Sequence, residues 1–188
     1  SDDQPLTLIH SSALTPFKMK EINFRNDILP LKNQLYRLAL RITLDSVEAE
    51  DIVQETLIKI WNRIETWNEI ENIEAFCFTI CRNLSLDSIK RQSNQFASLD
   101  EAQTDRADNT RNPSEQTIQH DQLNIVRQIV DGLPEKQRSC IQLRDFEGKS
   151  YKDIAAILEI SEEQVKVNIF RGRQAIKQKF QEMENFGV

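Results

Sequence analysis

The chain has 188 residues, 39% of them hydrophobic, and a formal net charge of −6. That length and apolar share hold one medium domain or two small ones with real cores, which excludes a chain disordered throughout. No stretch approaches the roughly 18 consecutive apolar residues that span a bilayer, no secretory leader is recognisable, and the net negative charge argues against a generic nucleic-acid binder.

Glycine is scarce and Leu, Ile, Glu, Gln, Lys and Arg dominate, so an all-α fold is expected. In chain order, residues 1–20 carry Ser, Thr, Asp and Pro without helical period and read as a flexible leader, with Met19 as an alternative start. From Asn23 the apolar residues Phe24, Ile28, Leu31, Leu35, Leu38 and Ile42 fall on one helical face, with Pro30 bending or restarting the helix. Ser46 is the expected N-cap of a second helix through Ile52, Val53, Leu57, Ile60, Trp61 and Ile64. A polar loop from Glu65 to Asn72 precedes a third helix of about Ile73 to Arg91, with Phe76, Ile80, Leu84 and Ile89 as its buried stripe. Residues 21–92 thus form a first helical domain. Residues 93–119 thin out in apolar content and carry more acids (Asp100, Glu101, Asp105, Asp108, Glu115) than bases, the pattern of a flexible acidic linker.

A second domain, residues 120–188, opens with a helix around Gln122 to Asp131 closed by Gly132. Pro134 fits the first turn of the next helix, which Gly148 ends. Ser150 caps Tyr151 to Leu158, and Ser161 caps a last helix from Glu162 to about Gln181. The very short turn at Glu159 and Ile160, with small Ala155 at the crossing and Ile154, Leu158, Ile160, Val165 and Ile169 as contacts, is helix-turn-helix spacing. The last helix exposes Gln164, Lys166, Asn168, Arg171, Arg173, Lys177 and Lys179 with no acid between Gln164 and Gln181, side chains suited to base edges and phosphates. A solvated basic helix face is the plainer alternative.

Two further faces carry chemistry. Phe76 to Arg91 mixes aromatic, amide and basic groups of the kind that hold single-stranded nucleic acid, although core packing is the more common explanation for any one ring, Phe76 or Phe78. Glu48, Asp51, Glu55 and Lys59 recur at helical spacing; the acids crowd one side and repel mildly, which a basic partner relieves and a hydrated acidic face also explains. Enzymatic chemistry is not expected. His10 and His120 lie in the leader and at the linker edge, and no phosphate loop or nucleophile with its base is visible. Cys77, Cys81 and Cys140 are odd in number and outline no disulfide framework, which points to a reducing, cytoplasmic setting. Cys77 and Cys81, four apart, read as core rather than as a metal site.

Ala49-Glu50-Asp51-Ile52-Val53-Gln54-Glu55-Thr56-Leu57 with Trp61, the Phe76 to Arg91 segment, Leu133-Pro134-Glu135-Lys136-Gln137-Arg138 and the helix-turn-helix resemble, in order and spacing, the extracytoplasmic-function sigma factors. The resemblance runs from about Asn23 to Phe180. It implies a sigma region 2-like domain, which grips the clamp of the largest subunit of core RNA polymerase and melts the minus-ten element. It also implies a region 4-like domain, which binds the beta-subunit flap and reads the minus-thirty-five element. By that resemblance Asp51, Gln54 and Glu55 match the clamp-binding positions. Asn83, with Arg82, Lys90 and Arg91, matches the minus-ten DNA surface, under a lid formed by Glu65 to Asn72. Ser161, Gln164, Lys166, Asn168, Arg171 and Arg173 match the minus-thirty-five positions. Promoter DNA, core polymerase and an anti-sigma factor are the implied partners, with no cofactor, metal or small-molecule substrate. Val167 and Asn168 stand where a small polar residue and an arginine are frequent, and Glu159 where glycine usually makes the turn. The alternative reading is a stand-alone helix-turn-helix regulator, which would dimerise on a two-fold operator.

Overall fold

The structure, a computed structural model, describes residues 21–98 and 118–187. The expected leader and most of the acidic linker lie outside the described residues. Within them every regular element is helical.

A π-helical turn, Phe24–Ile28, and a 3-10 turn, Leu29–Leu31, lead into α1, Lys32–Thr43. Pro30 sits at the start of that 3-10 turn, where its missing N–H has no helical partner to lose, so it restarts the helix as the sequence suggested. Leu44, in the left-handed region at φ 58°, ends α1. Helix α2, Ser46–Trp61, is capped by Asp45 and not by Ser46. One carboxylate oxygen of Asp45 accepts from the Val47 and Glu48 amides at 3.0 and 3.1 Å, and its charge suits the positive end of the helix. The loop expected from Glu65 contains a 3-10 turn, Ile64–Glu69, that buries Trp67, whose Nε1 donates to the Ile60 carbonyl at 2.8 Å.

Helix α3 runs from Ile73 to Ser98, beyond the expected end at Arg91 and into the expected linker. Its buried residues are Ala75, Cys77, Phe78, Cys81, Arg82, Ser85 and Ser88. The stripe expected from Phe76, Ile80, Leu84 and Ile89 is only half-buried. The reason is that α3 is covered on two sides, by α1 and α2 and also by a helix of the second half, and small residues there let neighbours approach closely. The buried hydroxyls are satisfied: Ser85 donates to the Cys81 carbonyl and Ser88 to Glu48, both at 2.8 Å.

In the second half, α4 (Ile118–Asp131) turns through Gly132 to Pro134 into α5 (Glu135–Ile141) and a π-helical turn, Gln142–Phe146. Helix α6 (Tyr151–Leu158) and α7 (Glu162–Asn185) follow. Val130, Leu133, Cys140, Ile141, Leu143, Ile154, Ile157, Leu158, Val165 and Ile169 are buried among them. Gly172 marks the closest approach of α7 to α5, since a Cβ there would lie 2.9 Å from Ile141 Cγ1.

The two halves pack against each other, α3 against α6 and α1 against α5, and their buried residues join in one cluster. Charged pairs cross the seam: Arg37 with Glu147, Arg41 with Asp131, Arg82 with Glu135 and Lys149 with Glu74. Asn72 adds a hydrogen bond to Asp153 at 3.0 Å.

Candidate nucleic-acid interface and partner surface

The α6–α7 pair is fixed at both ends of its turn. Ser150 accepts from the Asp153 amide at 3.1 Å and caps α6. Glu159, at φ 56° and ψ 44°, makes the left-handed turn usually left to glycine, and the Ala155 carbonyl receives both the Glu159 and Ile160 amides. Ser161 and Gln164 then form a reciprocal capping box that rigidifies the first turn of α7. Burial of Val165, Ile169 and Gly172 sets the rotation of α7, which turns Ser161, Gln164, Lys166, Arg171 and Arg173 outward.

These side chains are not equally free. Asn168 is half-buried and donates to the backbone oxygen of Gln164 at 2.8 Å. Arg173 forks onto Asp145 at 2.6 and 3.1 Å, and that pairing holds its guanidinium pKa above the ordinary value. Lys166 lies 5.9 Å from the Tyr151 ring. Arg171 is exposed with no such partner among the described residues. Between α4, the π-helical turn and the far end of α7 lies an apolar cleft of about 540 Å³, lined by Val126, Ile141, Phe146, Ile176 and Phe180 among others.

On α3 the expected minus-ten group divides. Asn83, Lys90 and Arg91 are exposed. Arg82 is buried, with Nε and a terminal nitrogen donating to Glu135 at 3.1 and 2.9 Å. In this arrangement Arg82 belongs to the seam between the halves and does not present its charge to DNA. Asn72, at the end of the proposed lid, is likewise held by the second half while its side-chain oxygen accepts from the Ala75 amide at 3.0 Å.

On α2, Asp51, Gln54 and Glu55 are exposed, and Glu55 reaches Lys59 at 4.0 Å. Helical spacing places Val47, Asp51, Gln54, Ile58 and Trp61 on one outward stripe with Glu55 at its edge. Val47, Ile58 and Trp61 are 69%, 59% and 52% exposed. The helix expected to run through Ile64 ends at Trp61, and both residues are exposed: Trp67 takes the interior with Phe24 half-buried beside it, leaving Trp61 edge-on to Phe24 at 5.2 Å. Sequence reasoning found the polar half of this stripe and missed Val47 and Ile58. The signal was an apolar residue one turn on either side of the acids, off the buried face.

Burial pushes the Cys77, Cys81 and Cys140 thiols up to about 12, with Glu74 and Glu135 adding to the effect at Cys77 and Cys140. They are inert core residues at neutral pH. No group of metal-ligating side chains occurs among the described residues, and no helix among them is long and apolar enough to cross a membrane.

Two family models match, "Sigma-70 region 2" over residues 28–95 and "Sigma-70, region 4" over residues 123–176. The ECF RNA polymerase sigma factor SigL of Mycobacterium tuberculosis is 32% identical over 152 residues, covering 79% of this chain and 84% of that protein. SigE of Mycolicibacterium smegmatis is 31% identical over 147 residues, 77% of this chain and 56% of the relative. Among solved structures, the sigma factor RpoE of Bartonella quintana, in complex with the anti-sigma factor NepR, superposes with a TM-score of 0.69 at 23% identity, covering 84% of this chain and 96% of that one.

Proposed function

The chain belongs to the extracytoplasmic-function RNA polymerase sigma factors, and on that premise we propose how its two exposed faces divide the work. As a sigma factor it directs promoter recognition in transcription initiation. In the proposed division, the α2 stripe of Val47, Asp51, Gln54, Ile58 and Trp61, edged by Glu55, docks on the clamp of core RNA polymerase. Asn83, Lys90 and Arg91 of α3 hold the minus-ten strand, joined by Arg82 once the halves separate. The first turns of α7, from Ser161 to Arg173, enter the major groove of the minus-thirty-five element. The apolar cleft beside α4 and α7 receives the beta-subunit flap. Residues 21–92 and 120–188 then act as two reading domains on the acidic linker 93–119, in the cytoplasm, without catalytic chemistry of their own, under an anti-sigma factor.

One observation carries this reading: α2 exposes an apolar and acidic stripe that nothing among the described residues covers, in the same chain as a cation-lined helix-turn-helix. Each face alone binds weakly. Tethering both to one polymerase raises their local concentration and accounts for a promoter reader whose net charge is negative.

The test is reconstitution with core polymerase, with promoter-specific initiation as the readout. Asp51→Lys combined with Glu55→Lys abolishes capture by core polymerase while the melting curve stays unchanged. Tight occupation of a two-fold operator by a dimer, with no affinity for core polymerase, overturns the assignment.

A further inference from the structure

The outward centre of α7 is apolar. Opposite the buried seam of Val165, Ile169 and Gly172, helical geometry places Glu163, Val167, Phe170 and Gln174 in one line. Val167 is 44% exposed and Phe170 64%. Gln164 and Arg171 flank this line on one side, Lys166 and Arg173 on the other. Two of the polar side chains expected to face the promoter are occupied elsewhere, Asn168 on its own helix and Arg173 on Asp145.

We propose that Val167 and Phe170 read thymine in the upstream promoter element through its 5-methyl group, with Arg171 on one rim and Lys166 on the other seated on phosphates. Two neighbouring apolar side chains turned to water gain nothing from the fold that holds them; they gain when something apolar covers them. Cations on both rims select a polyanion as that cover. In the major groove of a polyanionic duplex, the methyl of thymine is the apolar feature that base edges offer, and small apolar and phenyl side chains are its partners. The capping box supports this role, because it presents the first turns of α7 in one geometry. Sequence selection at these positions then rests on shape and apolar contact and not on a hydrogen-bonding fork from Asn168.

The inference rests on the promoter-binding reading and deepens it, so its test separates the two. Holoenzyme reconstituted with the full chain selects upstream elements from a randomised duplex library. In the selected duplex, each thymine is then replaced by uracil, which removes the methyl and keeps every hydrogen-bonding group. The expected result is a loss of roughly fourfold in affinity at one or two positions, the worth of one buried methyl-sized group. Val167→Ser and Phe170→Ser, both at exposed sites, each abolish the thymine–uracil difference at one position and leave the other intact.

Equal binding of thymine and uracil at every position, or a difference that persists in both variants, overturns the inference alone. So does loss of core-polymerase affinity by either variant measured without DNA, which assigns the pair to a protein contact. A holoenzyme that selects no upstream sequence overturns the functional reading and this inference with it.

Discussion

Arg82 of α3 is gripped by Glu135 of α5 through two hydrogen bonds, and Ser139 donates to the same carboxylate at 2.8 Å. The Arg82 side chain is 9% exposed and that of Glu135 22%, so the pair is largely out of water. An arginine in this position cannot hold Glu135 and a DNA phosphate together; DNA contact by Arg82 requires the halves to part.

Glu135→Gln leaves a buried guanidinium without its counter-charge, a loss of about 2–3 kcal/mol, below the full cost of a broken buried pair because Glu135 keeps some solvent. That cost falls on the seam and not on either half. Fluorescence energy transfer between labels on the two halves should report a larger mean separation, with helical content unchanged. Arg82→Glu combined with Glu135→Arg should recover part of the wild-type value. An unchanged separation in Glu135→Gln would show that this pair does not hold the halves together.

The other crossing pairs make the same seam sensitive to salt. Arg37 is half-exposed against Glu147, and Arg41 meets Asp131 at 2.6 Å while its guanidinium lies 5.5 Å from the Phe146 ring. The screening length falls from about 10 Å at 0.1 M salt to about 3 Å at 1 M, which weakens the solvent-facing members most. Small-angle scattering should therefore show the radius of gyration rising with sodium chloride. Lys149→Glu, which sets a second acid against Glu74, should give the larger radius already at low salt. A radius flat across the series would assign the seam to apolar packing.

Much of this arrangement was readable from local chemistry. Ser150 and Ser161 announce α6 and α7 because a cap is decided within four residues, and the period of Val165 and Ile169 fixes which face of α7 turns inward. Failures occurred where distant neighbours decide. Phe76 and Ile80 looked like the core stripe of α3, yet they are half-buried while Phe78 joins the expected Cys77 and Cys81 inside, because α6 covers a second side that no local period encodes. The pairing of Arg82 was not legible for the same reason: its partner, Glu135, lies beyond the linker. Asp45 displaced Ser46 as cap by a single position, a margin that spacing alone does not resolve.

Glu159 adopts a left-handed conformation at φ 56°, where a Cβ crowds the following carbonyl. Glu159→Gly removes that crowding and gives back some of the gain by loosening the unfolded chain, for a net stabilisation of about 0.5–1 kcal/mol. Glu159→Val, β-branched at the same position, should destabilise by at least as much. Urea titration of the full chain measures both, and an order reversed between the two variants would remove strain from the account of this turn.

Arg171 is an outward cation of α7 with no partner among the described residues, so its charge is available to a phosphate. Arg171→Ala should weaken holoenzyme binding to all upstream elements alike and lower the salt slope of binding by about one unit. A change confined to one base pair would instead make Arg171 a reader of base edges.

The buried thiols set an alkaline limit. Burial raises Cys81 from the ordinary 9.0 to about 12, so between those values the unfolded chain releases a proton that the native protein keeps. With fewer protons bound in the unfolded state, stability falls as pH rises, by about 1.4 kcal/mol per pH unit for each such group. The loss begins near pH 9.0 and is complete near 12, and below 9.0 the thiol has no effect on the pH dependence. The comparison is between variants, so that every other group contributes alike to both. Cys81→Ala, though less stable at neutral pH for the volume it removes, should lose stability more slowly above pH 9.0, its slope shallower than wild type by about 1.4 kcal/mol per pH unit. Parallel slopes in urea titrations across that window would mean that Cys81 ionises in the native protein as readily as in the unfolded chain.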